Sequence, residues 1–217
     1  MIKLEKGDEP NILSDNAVSW TKAITDKIDA GLKITDADKS RYNNPAIKSA
    51  LVSETGGKCA YCESKIRHVA PGDIEHIIPK SAVPQLWFEW INLTIACSEC
   101  NRRKWDHVGD DTDFVDPYDV DPEDHFWHLG AMIFPAPGSE SGISTERLLE
   151  LNRADLLERR GDRLSGLMRH LSLIEKTVNL GARAILVQDF LREAESGREY
   201  AALARTIIRR AQAEAII

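Results

Sequence analysis

The 217-residue sequence has no long apolar run and no cysteine outside two short motifs. Its apolar stretches are only a few residues long, whereas a membrane-spanning helix needs about 20 such residues, so we expect no membrane contact. The opening stretch MIKLEKGDEP also lacks the apolar segment of a secretion signal. We therefore expect a cytoplasmic protein, and 42% hydrophobic residues is an ordinary content for a folded chain.

The sequence also lacks the surplus of positive charge that is common in nucleic-acid-binding domains, since its net charge is −7. The imbalance is local, because residues 109–125, the acidic segment, carry eight acidic side chains and no Lys or Arg. The global charge is therefore a poor guide to what the rest of the surface binds. Three interpretations of the acidic segment stay open: a solvated loop, a docking strip for a basic partner, or a gate that weakens nucleic-acid binding.

Periodic apolar residues predict helices on both sides of a loop-rich centre. The expected helices are 14–32, with Val18, Ile24, Ile28 and Leu32 on one face, 44–52, a long one starting at Asn152, 182–195, and one after a capping box at 196–199. Short strands are expected at 74–78 and 91–96, and a hairpin over 126–134.

These patterns predict an α+β protein with four segments. They are a helical segment 1–57, a compact core 58–108, the acidic segment with a short hairpin 109–143, and a helical region 144–217. No internal repeat or low-complexity tract interrupts them.

The four cysteines form two CxxC pairs, Cys59 with Cys62 and Cys97 with Cys100. Two such turns can close the tetrahedral shell of a structural Zn²⁺, and four thiolates leave no open position for a substrate. Disulfides are disfavoured without a secretion signal. A redox CxxC motif is disfavoured because it calls for one pair beside a βαβ pattern rather than two matched pairs.

The segments between and around the cysteines carry a family resemblance. The motifs CAYC, IEHIIPKS, WINL and ACSECNRRK, in this order, resemble those of the zinc-knuckle HNH endonucleases, which share a ββα-metal fold. The resemblance covers about residues 58–107. It implies hydrolysis of phosphodiester bonds in nucleic acid, DNA in preference to RNA, with a divalent metal ion.

The resemblance also assigns roles to residues. His76 corresponds to the general base, and Asn92 to the residue whose amide oxygen fixes the imidazole. Glu75 and Asn101 correspond to the ligands of one Mg²⁺ or Mn²⁺, with His107 as a fallback ligand. The family more often has Asp at the position of Glu75, and His is an alternative at that of Asn101. The basic residues placed to contact phosphates are Lys80, Arg102, Arg103 and Lys104, although the last three are also compatible with a solvated helix face.

A looser resemblance extends over most of the chain. The opening from Ile2 to Leu13, the stretch NPAIK before GGKCAYCE, and the element from Thr145 to Arg153 are similar to the HNH proteins of Septu and retron-associated antiphage systems. This similarity implies a nuclease effector that works with an ABC-type ATPase. Two rival hypotheses remain: a catalytically silent zinc-knuckle module that binds nucleic acid or acts as an adaptor, and a thiol redox protein.

Overall fold

The computed structural model describes residues 1–66, 71–107 and 114–217. Helices and two small sheets make up this part of the chain, which confirms the predicted α+β class. The helices are α1 Asn11–Ser14, α2 Ala17–Asp29, α3 Asp36–Lys39, α4 Pro45–Glu54, α5 Ser98–Lys104, α6 Pro122–His125, α7 Glu140–Leu149, α8 Ala154–Lys176, α9 Leu180–Arg192 and α10 Ala201–Ala213. The strands are β1 Asp73–His76, β2 Leu93–Ala96, β3 Phe126–Leu129 and β4 Met132–Pro135.

Two compact units are formed, the first containing α1 to α5 with β1 and β2, and the second containing α6 to α10 with β3 and β4. In the first unit, α4 packs on β2 and α2 packs on the 3-10 turn Pro84–Leu86. Its buried apolar side chains include Leu13, Ile24, Ile47, Leu51, Phe88, Leu93 and Ile95. None of the helices in the described ranges is both long and apolar enough to cross a bilayer.

An antiparallel pair of strands lies at the centre of the first unit. In its register Asp73 is opposite Ala96 and His76 is opposite Leu93, and helix α5 follows β2 directly. Gly72 precedes β1 at a φ of +69°, and a Cβ there would lie 2.6 Å from the side chain of Ile66. Glycine is therefore needed at this turn, because any side chain would meet both a strained backbone and a clash.

The predicted first helix exists, but its predicted buried face is wrong. Val18 is 82% exposed and Leu32 is 62% exposed, whereas Ile24 and Ala17 are buried. Val18 and Ile24 are six residues apart, which places them about 120° apart around a helix. Leu32 lies beyond the end of α2. Helix α4, in contrast, begins as predicted, with the Asn44 side chain accepting a hydrogen bond from the backbone N–H of Ala46.

The second unit contains the predicted hairpin, β3 with β4, and a helical core from α8, α9 and α10. Asn152 does not cap α8 as predicted. Its side chain instead accepts from the N–H of Ile133 at 2.9 Å and donates to the carbonyl of the same residue at 2.7 Å, so it clamps β4. The predicted capping box before α10 is also wrong, because Tyr200 precedes the helix with a φ of +52° and no side-chain cap.

Residues 109–113 of the acidic segment lie outside the described residues. Near its other end, Glu123 forms ion pairs with Arg205, at 2.8 Å, and with Arg209. Hydrogen bonds from the two guanidinium groups lower the pKa of Glu123 against the opposing effect of burial. Glu123 is therefore paired with α10, whereas Asp119, Asp121 and Asp124 of the same segment are exposed.

Candidate functional site

The four cysteines come together as their spacing predicts. Their sulfur atoms all lie within 4.8 Å of one another, and no disulfide joins these four described residues. Cys59, Cys62 and Cys100 are buried, and Cys97 is half-buried. At a Zn–S distance of about 2.3 Å, the sulfurs of a tetrahedral site lie about 3.8 Å apart. The four thiols therefore fit a Zn²⁺ ion and could hold one.

Local backbone geometry explains why the two pairs meet. The N–H of Ala60, between the first two cysteines, donates to the carbonyl of Ile95 in β2 at 3.0 Å. Cys97 follows β2 and caps α5, with its sulfur accepting from the N–H of Cys100 at 3.4 Å. The first pair is thus attached to the strand from which the second pair extends.

A cavity of about 500 Å³ lies in the first unit and is lined by Glu75, His76 and Asn101, together with Lys80 and Arg102. Strand β1 supplies Glu75 and His76, and helix α5 supplies Asn101. The three residues expected to surround a divalent ion therefore line the same cavity. A carboxylate, an amide oxygen and an imidazole are ligand types that suit Mg²⁺ or Mn²⁺ with one adjacent base.

His76 is 5% exposed, and its Nε2 atom lies 2.9 Å from the backbone carbonyl oxygen of Trp87. A carbonyl can only accept, so Nε2 carries the proton and Nδ1 carries the lone pair. Burial lowers the pKa of His76 to about 3, and the charges of Lys80 and Lys104 act in the same direction. The ring is therefore neutral at cellular pH and has one nitrogen that can accept a proton.

Asn92 does not hold the His76 ring, in contrast to the expectation from sequence. Its Oδ1 atom accepts from the N–H of Ile78 at 2.7 Å, and its Nδ2 atom donates to the carbonyls of Ile78, at 3.0 Å, and Leu86, at 3.1 Å. The carboxamide thereby closes the loop between β1 and β2. Since Trp87 follows Leu86 directly, the hydrogen bonds of Asn92 and His76 are made to adjacent carbonyls of this loop.

Glu75 is buried and forms an ion pair with Lys104, whose ammonium lies 2.9 Å from Oε1. The same ammonium donates to the carbonyl oxygen of His76 at 2.9 Å. Burial raises the pKa of Glu75, while Lys104 opposes this shift. Lys104 is thus paired with the buried carboxylate, and the charge of Lys80 also opposes the rise in its pKa.

The expected phosphate contact by Lys104 differs from what the structure shows, because this residue is only 1% exposed. It follows Asn101 by three residues and so lies on the side of α5 that faces β1. Arg102 is exposed and Arg103 is half-buried, and both form ion pairs with Glu99 at 2.7 Å. The Arg102 side chain is 62% exposed, whereas that of Arg103 is only 19% exposed, so Arg102 is the more accessible of the two guanidinium groups.

Lys80 lines the cavity beside Tyr42, an aromatic residue that was not predicted from the sequence as part of the site. Its ammonium donates to the Tyr42 hydroxyl at 2.9 Å and lies 5.4 Å from the centre of the Trp87 ring. Tyr42 also packs edge to face on His76, with ring centres 4.7 Å apart. Nothing in the sequence links Tyr42 to His76, which lies 34 residues later.

Two residues that follow α5, Trp105 and His107, differ in whether they line the cavity. Trp105, which is 75% exposed, lines the cavity and was also missed. His107, the fallback ligand, is not among the residues of the described chain that line this cavity.

Three aromatic residues of the segment before β2 are buried in the core. They are Trp87, Phe88 and Trp90.

Comparison with known proteins identifies the centre of the first unit. Residues 59–107 match the family model of the HNH endonuclease. This part of the chain is therefore an HNH domain, and the resemblance seen in the sequence motifs is confirmed.

The chain is also similar over a longer range to two curated proteins. It is 26% identical to the Septu protein PtuB of Bacillus mycoides (strain KBAB4), over 74% of this chain and 66% of that protein. It is 26% identical to the Septu protein PtuB of Bacillus thuringiensis, over 72% of this chain and 57% of that protein. The chain thus spans less than two thirds of the length of these relatives.

Proposed function

We propose that this protein is a metal-dependent HNH endonuclease that hydrolyses phosphodiester bonds of nucleic acid, with DNA as the preferred substrate. The observation that carries the proposal is the shared cavity of Glu75, His76 and Asn101, within a segment that matches the HNH family model. In this proposal, β1, β2 and α5 form a ββα-metal centre, and the four cysteines hold a structural Zn²⁺ beside it.

His76 is the general base. Its Nδ1 atom takes a proton from the attacking water, while the Nε2–H bond to Trp87 keeps the ring in this tautomer. Burial makes protonation of this imidazole costly, so the ring stays neutral before the reaction but is a weaker base than an exposed histidine. Asn92 is a positioning residue, since it holds the loop that carries the Trp87 carbonyl.

Glu75 and Asn101 hold one Mg²⁺ or Mn²⁺, which supplies charge neutralisation for the phosphate and the leaving oxygen when it is bound. A carboxylate has two oxygens, so Glu75 can keep its pair with Lys104 through Oε1 and still offer Oε2. Lys80, Arg102 and Arg103 contact the phosphate backbone. The amide oxygen of Asn101 is a neutral ligand, so cutting requires a generous concentration of free metal.

We further propose a cytoplasmic role in antiphage defence, in complex with an ABC-type ATPase. The support is the similarity to two Septu proteins and to the motifs of HNH proteins from Septu and retron systems. Cutting by the isolated chain can therefore be weak until the partner is added.

The test uses the purified chain on plasmid DNA with Mg²⁺ or Mn²⁺, with and without the protein encoded by the neighbouring gene. Wild type is expected to nick or linearise the plasmid, and His76→Ala is expected to lose activity by about 10²–10⁴-fold. The matched control is His170→Ala, a histidine of the second unit that hydrogen bonds to Leu186. Cutting that is unchanged in His76→Ala would overturn the assignment of the base.

One observation favours a second function, that of a catalytically silent module that binds nucleic acid or a protein. The candidate ligand Glu75 is already compensated by a buried lysine. The cavity can therefore keep its structure without a divalent ion, because the negative charge of Glu75 is already paired. A titration with Mn²⁺ separates the two functions. Bound Mn²⁺ broadens the nuclear magnetic resonance signals of nearby residues, so a nuclease is expected to show broadening near Asn101 and a silent module is expected to show none.

A further inference from the structure

A second cavity of about 410 Å³ adjoins the proposed catalytic cavity. The two cavities share three lining residues, Tyr42, Ile74 and Asn101. Asn101 is the proposed metal ligand on α5, and Tyr42 contacts both His76 and Lys80. The two cavities are therefore neighbours that meet at these three residues.

Part of the lining of the second cavity comes from the amino-terminal segment rather than from the HNH domain. Lys39, the last residue of α3, and Lys48, in α4, both line it. Neither ammonium has a hydrogen bond or an ion pair with another residue within the described ranges. Two cations without an acidic partner thus face the same space.

Two acidic residues also line this cavity. Asp73 accepts a hydrogen bond from Nδ2 of Asn101 at 3.3 Å, and Asp36 lies in the first turn of α3. The carboxylate of Asp73 is thereby engaged on the side of the HNH domain. The two lysines and Asp36 come from α3 and α4 of the amino-terminal segment, so two ammonium groups stand against one carboxylate on that part of the lining.

We propose that this second cavity is a subsite for the nucleic-acid backbone next to the scissile phosphate, with Lys39 and Lys48 as its phosphate-binding residues. The inference rests on the proposed nuclease function and adds a part of the substrate path that lies outside the HNH domain. Phosphate contacts of this kind position a strand without reading its sequence. The subsite therefore acts on affinity and on the placement of the strand, and not on base preference.

The test is an equilibrium binding experiment on the full chain, in a His76→Ala background that cannot cut. Fluorescence anisotropy with a labelled DNA duplex, and with the corresponding single strand, is measured over a range of salt concentrations. Log affinity falls with log salt concentration, and the loss of two phosphate contacts makes this slope less steep. The expected change in its magnitude is about 1.8 for duplex DNA and about 1.4 for single-stranded DNA. For Lys39→Gln with Lys48→Gln we expect this change, with affinity weakened at least about tenfold near 0.1 M salt.

The matched control is Lys22→Gln with Lys33→Gln, which removes the same charge from the same unit at two exposed lysines that line neither cavity. We expect a salt slope close to that of the parent. Thermal unfolding of each variant excludes loss of the fold as the cause, because surface substitutions of this kind change stability little.

The outcomes separate the subsite from the nuclease function. An unchanged affinity and slope in the Lys39 and Lys48 variant would overturn the subsite, even if wild type cuts DNA. Equal losses in the test and control pairs would overturn it too, as would a parent chain that binds neither probe. If the slope changes as expected but wild type does not cut DNA under any condition, the subsite is supported and only the nuclease function is contradicted.

Discussion

The carbonyl oxygen of Trp87 lies 2.9 Å from Nε2 of His76 and thereby determines which nitrogen of the imidazole can act as a base. The bond comes from the backbone of a loop whose shape is maintained by Asn92. The orientation of the His76 ring therefore depends on the loop between β1 and β2, and not on one neighbouring side chain.

The first prediction concerns the pH dependence of cutting. Burial lowers the pKa of His76 from 6.5 to about 3, so the neutral base is retained as the pH falls through the usual range of histidine. With saturating metal, kcat/KM is expected to stay flat from about pH 7 to about pH 5. A steady-state profile over this range checks the prediction.

An independent measurement follows the same residue without catalysis. The ring signals of His76 in a nuclear magnetic resonance titration are expected not to shift between about pH 8 and about pH 5. An acidic limb of the rate profile near 6.5, together with a His76 titration at the same value, would contradict the buried neutral state.

The second prediction concerns Lys104. In Lys104→Met the buried Glu75 carboxylate loses its compensating charge, so the free energy of unfolding is expected to fall by about 3–5 kcal/mol. Adding Glu75→Gln removes the uncompensated charge and is expected to recover part of this loss. Urea unfolding of the single and double variants measures both effects.

Arg102→Met is the control for Lys104→Met, since Arg102 is exposed and pairs with Glu99. It is expected to leave stability nearly unchanged and to weaken DNA binding. If Lys104→Met instead preserved stability and reduced the salt dependence of binding, Lys104 would be a phosphate contact after all.

The third prediction concerns Asn92. The Asn92→Asp variant keeps an oxygen in place of Oδ1 but loses both donated bonds, which leaves a carboxylate facing the carbonyls of Ile78 and Leu86. It is therefore expected to lose about 2–4 kcal/mol of stability, as much as Asn92→Ala, and to lower kcat more than it raises KM. A direct bond from the His76 ring to the Asn92 oxygen predicts the opposite result, with Asn92→Asp close to wild type.

The fourth prediction concerns the cysteine cluster. Elemental analysis is expected to find one zinc ion per chain, and removal by a chelator is expected to lower the melting temperature. Re-addition of Zn²⁺, but not of Mg²⁺, is expected to restore it, because thiolates prefer the softer ion. Cys62→Ser and Cys100→Ser each remove a ligand and are expected to reproduce the melting temperature of the metal-free protein. A chain that contains no zinc and melts equally with or without chelator would favour the redox hypothesis.

The extent to which the site follows from sequence depends on where the partners lie along the chain. The cysteines were predictable because a CxxC turn brings two sulfurs together by local geometry alone, and the two turns flank a single strand pair. The cavity residues His76 and Asn101 were identified by their motifs. The partner of His76 was not, because a backbone carbonyl has no residue type to recognise, and Asn92 offers both donors and an acceptor that several partners could use.

The remaining differences come from packing. Residues 102–104 form a basic run in the sequence, but helix geometry turns Lys104 toward β1 while Arg102 stays exposed. Tyr42 reaches His76 only through the way the amino-terminal segment folds over the strand pair, which no spacing rule describes. Long-range contacts of this kind decide which side chain is buried and which one meets solvent.

The HNH domain is not self-contained in this chain. Trp90 donates to the carbonyl of Gly7 at 2.8 Å, and Lys6 donates to the carbonyl of Leu93 in β2, so residues before the domain brace its strands. A fragment cut at residue 59 would also lack Tyr42. The domain is consequently a poor candidate for grafting onto another protein without the residues that precede it. Where recombination moves this domain between proteins, we expect the preceding helices to move with it.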